Sequence, residues 1–145
     1  MRTVFADTFY WVALTNPDDT RYRDAVAFDA MLTDATIFTT DEVLVEFMTF
    51  FSADPWQRGR AGTTVHRLLA DPEIRVIEQS RNSFLAGLDL YQSRPDKGYS
   101  LTDCISIRIL PVIWRVIREF PEARRAVETA LEEAKVRKTK YEQAA

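Results

Sequence analysis

Residues 35–51 read Ala-Thr-Ile-Phe-Thr-Thr-Asp-Glu-Val-Leu-Val-Glu-Phe-Met-Thr-Phe-Phe, and the change of pattern inside this stretch decides the fold class. Ala35 to Phe38 is a short apolar run of the kind that forms a buried strand. From Val43 onward the apolar positions are Val43, Leu44, Phe47, Phe50 and Phe51, which share one face of a helix. Thr39 and Glu42 lie between the two patterns with capping-box spacing. A strand therefore runs directly into a helix.

The same alternation recurs on both sides. Thr3 to Ala6 is a β-prone run that stops at Asp7, and a helix is expected from Thr8 to Leu14, closed off by Pro17. Asp18 or Asp19 is expected to cap a helix running toward Leu32. A further helix is expected over Trp56–Ala70, a third strand over Ile74–Ile77 and a helix over Asn82–Gln92. Arg94 to Gly98 reads as a loop, after which Ser100 and Asp103 open another helix with Ser-x-x-Asp capping spacing. Strands alternating with helices imply an α/β fold with a parallel sheet and helical crossovers. The segment 121–145 is rich in Ala, Glu, Arg and Lys and reads as an additional C-terminal helix.

With 145 residues and no internal repeat or linker, residues 1–145 are expected to form one domain. The net charge of −3 advertises no global nucleic-acid-binding surface. One cysteine and one histidine exclude an internal disulfide and a Cys/His zinc site. Cys104 reads as a core thiol and His66 as a surface residue. The apolar stretch from Ile105 to Ile117 is interrupted by Arg108, Pro111 and Arg115, and is shorter than the roughly 20 residues that cross a bilayer. No secretory leader is apparent, so the expected setting is the cytoplasm, with no membrane contact.

Three carboxylates stand out. Asp7 ends the first strand where a helix begins, a place where α/β sheets carry their sites, although the same position suits a helix N-cap. Glu46 shares a helical face with Val43 and Phe50, and no Lys or Arg occupies positions 42, 43, 49 or 50 to neutralise it. Burying an unpaired carboxylate is expensive, so such a group pairs, protonates, binds metal or edges into solvent. Asp103 can complete a capping box or join the other two at one edge of the sheet. Clustered carboxylates without His or Cys form a hard oxygen site that suits Mg²⁺ or Mn²⁺ and phosphate-ester hydrolysis.

Phe5-Ala6-Asp7-Thr8 resembles the opening motif of PIN domains, Thr39 to Glu46 resembles the second, and Ser100 to Ser106 the third. The order and separations fit over residues 1–108, about three quarters of the chain. The resemblance implies a three-layer PIN-like domain, a central parallel sheet flanked by helices, with 121–145 an atypical addition. It further implies a VapC-type toxin: a Mg²⁺- or Mn²⁺-dependent endoribonuclease that hydrolyses RNA, dimerises with a second copy and is restrained by a cognate antitoxin. Carried over, Asp7, Glu46 and Asp103 are catalytic metal ligands and Thr8 supports them by hydrogen bonding. Arg94, Lys97 and Arg108 flank the third motif and are candidates for steering RNA phosphates, or else solvated surface charges.

The family pattern continues with a strand and a Thr-x-Asp-x-x-Phe-like segment carrying a fourth acid, whereas here Asp103 is the last aspartate in the chain. The alternative is therefore a PIN-like binding or interaction protein with impaired catalysis. Other chemistries fit less well. A phosphotransferase with an Asp nucleophile wants a second Asp at position 9, which is Phe, and no Gly-rich phosphate loop is present. Phe9, Tyr10 and Trp11 read as core or dimer contacts, or as a platform on which RNA bases stack.

Overall fold

The computed structural model describes residues 2–118, with side-chain surroundings for 3–111. Strands β1 (Arg2–Phe5), β2 (Ala35–Thr40) and β3 (Ile74–Ile77) form one parallel sheet in that order. Val4 lies opposite Ile37, and Ile37 opposite Ile74. Helices α1 (Thr8–Thr15) and α2 (Tyr22–Asp29) connect the first two strands. Helices α3 (Asp41–Phe50) and α4 (Pro55–Ala70) connect the second to the third. Helices α5 (Arg81–Ser93) and α6 (Leu101–Arg118) follow.

Successive strand residues point to opposite faces, and both faces are covered. Ala35 and Ile37 join a core with Trp11, Val43, Leu44, Phe47, Ala61 and Leu68, drawn from α1, α3 and α4. Phe38 and Ile77 pack on the other side with Phe84, Leu101, Ile105 and Ile109 of α5 and α6. The result is an α/β architecture with the parallel sheet expected from the alternation and the three layers implied by the resemblance. Phe47 and Val43 are the largest fully buried side chains, each stabilising the fold by about 1.5–3 kcal/mol relative to exposure. Cys104 is buried and His66 is exposed.

Local chemistry departs from the sequence reading in several places. Neither Asp18 nor Asp19 caps α2. The Asp19 carboxylate accepts the Arg21 N–H at 2.8 Å, and Arg21 is the N-cap without a side-chain bond. Such i to i+2 bonds offer the backbone an alternative to helix, which delays the start to Tyr22. Likewise Thr39 does not pair with Glu42 in a capping box. Thr39 stays in β2, and Thr40 caps α3 by accepting the Val43 N–H at 3.2 Å. Glu42 is thereby shifted to a buried position, where Ser83 donates to its Oε1 at 3.3 Å and its Oε2 has no hydrogen bond among the described residues. Phe50, expected to point inward, is exposed. Pro111 lies inside α6, which continues past it to Arg118. The helix expected over 121–145 lies outside the described residues.

The α5–α6 pair is closely packed where Gly87 meets Ile105. A Cβ on Gly87 would lie 2.3 Å from Ile105 Cγ1 and 3.0 Å from the Ile105 Cα. Alanine gains about 0.5–1 kcal/mol of helix propensity over glycine, whereas overpacking costs about 1–3 kcal/mol. The backbone atom cannot rotate away, so the clash wins. Gly87→Ala is expected to destabilise the protein by about 1–2 kcal/mol in denaturant titration; a raised midpoint would contradict the packing described here.

Candidate active site

The β1–β2 ladder extends one residue beyond the strand, because the Ala6 N–H donates to the Phe38 carbonyl at 2.8 Å. The Thr39 hydroxyl donates to the Ala6 carbonyl at 2.9 Å and accepts the Trp11 Nε1–H at 3.2 Å. Asp7 is consequently the first residue free of the sheet. It caps α1, its Oδ1 accepting the Tyr10 N–H at 3.0 Å. Thr8 opens α1 and donates its hydroxyl to Glu46 Oε2, joining α1 to α3. Glu46 is half-buried, and this bond supplies the partner that its own helix lacks.

Asp103 is held by the capping box anticipated from Ser100. The Ser100 N–H donates to Asp103 Oδ2 at 2.8 Å, and the Asp103 N–H donates to Ser100 Oγ at 3.1 Å. Capping therefore does not exhaust these carboxylates. Each carboxylate is positioned through one oxygen, while Asp7 Oδ2, Glu46 Oε1 and Asp103 Oδ1 accept no hydrogen bond from the described residues.

Asp7, Glu46 and Asp103 line one cavity of about 800 Å³, together with Thr8. Asp19 adds a fourth carboxylate to the lining, and among the described lining residues there is no Lys, Arg or His. This all-oxygen set fits a hard divalent cation in its chemistry. Among the described residues, however, no three His, Cys, Asp or Glu side chains are close enough to enclose one ion. Mg²⁺ usually keeps several waters and takes one or two carboxylates, so the set fits a hydrated ion better than an all-protein cage.

No family model matches the chain, and no curated protein matches it. Among solved structures it is similar to VapC20 of Mycobacterium tuberculosis, described as a toxin that cleaves the sarcin–ricin loop. The two are 22% identical, the match covers 80% of this chain and 82% of that one, and the TM-score is 0.63. The chain has the fold of the VapC-type PIN domain.

Within this PIN fold the basic candidates sit apart from the cavity. Arg94 pairs with Asp96 at 2.8 Å, Lys97 approaches the same carboxylate at 3.7 Å, and Arg108 pairs with Asp89 at 2.9 Å. None of the three lines the cavity. The Arg94 hydrogen bond holds the exposed Asp96 carboxyl below the usual carboxylate range. Tyr10, read as a core or dimer contact, is half-buried and donates to Asp29 Oδ1 at 2.5 Å, tying α1 to α2. Burial first, and then the Asp29 hydrogen bond, push its phenol well above the usual tyrosine range. This raised value means that the link holds at neutral pH and is lost only as strongly alkaline pH deprotonates the folded form.

Phe50, Asp19 and Tyr99 are among the lining residues that escaped the sequence reading of the site. Phe50 lies four residues after Glu46 on α3, a spacing that could have flagged it. Asp19 and Tyr99 come from loops, whose return to the cavity no local pattern announces. The bond network around Thr39 is the part of the site most open to a stability test. Thr39→Val keeps the shape but leaves the buried Ala6 carbonyl and Trp11 N–H unpaired. The expected loss is about 1–3 kcal/mol by denaturant titration; an unchanged midpoint would contradict the assigned role.

Proposed function

We propose that this protein is a divalent-metal-dependent endoribonuclease, hydrolysing RNA phosphodiesters at the cavity lined by Asp7, Glu46 and Asp103. The observation that carries this reading is the convergence of three carboxylates, each with one unengaged oxygen, on one cavity of a PIN-type fold. Asp7, Glu46 and Asp103 would hold Mg²⁺ or Mn²⁺, partly through water. Bound there, the ion would polarise the phosphodiester, promote ionisation of a water and stabilise the departing oxygen.

The chain's own residues do the positioning. Thr8 donates a hydrogen bond to Glu46 Oε2, which fixes the carboxylate and leaves Oε1 without a described partner. The Tyr10 and Ser100 backbone N–H groups orient Asp7 and Asp103 in the same way. The lining offers a phosphate no positive charge among the described residues, so substrate and cation are expected to bind together. In this reading the protein is the toxin of a toxin–antitoxin pair, acting in the cytoplasm as a homodimer and restrained by a cognate antitoxin. The similarity to a toxin that cleaves the sarcin–ricin loop supports an RNA substrate.

A second reading, a PIN-like binding protein with impaired catalysis, draws on the spacing of the acids, since no three of them enclose an ion among the described residues. Cleavage of a structured RNA with Mg²⁺ or Mn²⁺ separates the two. Metal-dependent cleavage by the wild type is expected, with Asp7→Asn reducing it by at least the about 10–100-fold that loss of an outer-shell metal partner costs. Calorimetric Mn²⁺ binding is expected to weaken in Glu46→Gln. Cleavage that persists in Asp7→Asn or in chelator would contradict the mechanism, and absence of cleavage by the wild type would favour the second reading.

A further inference from the structure

Phe9, Phe50 and Tyr99 are 70%, 60% and 42% exposed, yet all three line the cavity that holds the acids. They come from three separate segments. Phe9 follows Asp7 by two residues on α1, Phe50 lies one turn beyond Glu46 on α3, and Tyr99 stands in the loop four residues before Asp103. Each acid thus has an aromatic ring close to it in the chain. Large aromatics left in water forgo the burial that usually recommends them, and here they do so around one concave site.

We propose that these rings form a stacking subsite for unpaired nucleobases of the RNA, next to the carboxylates; this rests on the reading of the cavity as a ribonuclease site. Charge decides against a grip on the phosphates, since the described lining contains Asp7, Asp19, Glu46 and Asp103 and no Lys, Arg or His. Stacking on an aromatic face needs no positive charge and accepts every base. A base inside a duplex has both faces covered by its neighbours, so only an unpaired or extruded base can use such rings. The cavity, at about 800 Å³, falls within the about 300–1,000 Å³ typical of small-ligand pockets. A protein anchor of apolar side chains would instead have to cover four carboxylates without pairing them, which is costly.

The test uses the full chain with Ca²⁺ in place of Mg²⁺ or Mn²⁺, so that cation and RNA can bind together without efficient hydrolysis, and a single-stranded RNA oligonucleotide carrying 2-aminopurine. Quenching of this base reports stacking, and anisotropy reports binding. Phe9→Ala and Phe50→Ala are each expected to raise the Kd by about 5–150-fold, with Phe9→Trp and Phe50→Trp retaining binding. The same sequence in a perfect duplex is expected to bind more weakly and without quenching. The salt dependence should be shallow, since few phosphates are neutralised. Alanine variants that bind within about twofold of wild type would overturn the subsite. So would alanine variants that keep RNA binding but lose association with a second protein chain. If the wild type cleaves nothing while the phenylalanine dependence holds, the hydrolytic reading fails and the subsite stands.

Discussion

The hydroxyl of Thr39 is fully buried, accepts the Trp11 indole N–H and donates to the Ala6 carbonyl, and the placement of the acids follows from these two bonds. They tie the end of β1, the start of α1 and the end of β2 into one unit at the carboxyl edge of the sheet. Asp7 must then leave the sheet immediately after Ala6, and Thr40 must cap α3 in place of Thr39. From that cap, Glu46 falls on the turn of α3 that faces Thr8. Parallel pairing supplies the rest, because it brings the carboxyl ends of adjacent strands to one side. A buried hydroxyl with both roles filled is difficult to replace, since an isosteric apolar group would orphan two polar partners.

Capping and active-site roles are usually set against one another when a carboxylate is found at a helix start. In this protein the capping bonds engage only one oxygen of each group, which leaves the other for the proposed role. Asp7 and Asp103 each give one oxygen to a backbone N–H, which restricts the side chain and leaves the other oxygen without a described partner. Glu46 achieves the same through the Thr8 hydroxyl. Pre-ordered carboxylates lose little side-chain freedom on binding a cation, which suits a site built on element ends rather than on a long flexible loop.

Much of the fold could be read from the chain. The three strands were visible because short apolar runs are bounded by turn residues, and Ile74–Ile77 was placed to the residue. Helix α3 was visible through the 3.6-residue spacing of Val43, Leu44 and Phe47. What misled the reading was competition among equivalent side chains. Thr39 and Thr40 are adjacent and chemically alike, and only the tertiary partners Ala6 and Trp11 decide which one caps α3. Asp19 was likewise drawn to the Arg21 N–H, away from the helix it was expected to cap. Of the residues that line the candidate site, Asp7, Glu46, Asp103 and Thr8 were legible in the chain, since each sits in a motif resembling those of the family. The entry of Asp19 and Tyr99 into the same cavity depends on how loops return, and no local pattern encodes it.

The most direct measurement is a crystal structure of the protein grown with Mn²⁺, with the ion located by its anomalous scattering. An anomalous peak in the cavity, within direct or water-mediated reach of Asp7 Oδ2, Glu46 Oε1 and Asp103 Oδ1, is the expected result. A cavity that stays without a peak at millimolar Mn²⁺, or a peak bound elsewhere and indifferent to Glu46→Gln, would contradict a metal site built from these three carboxylates.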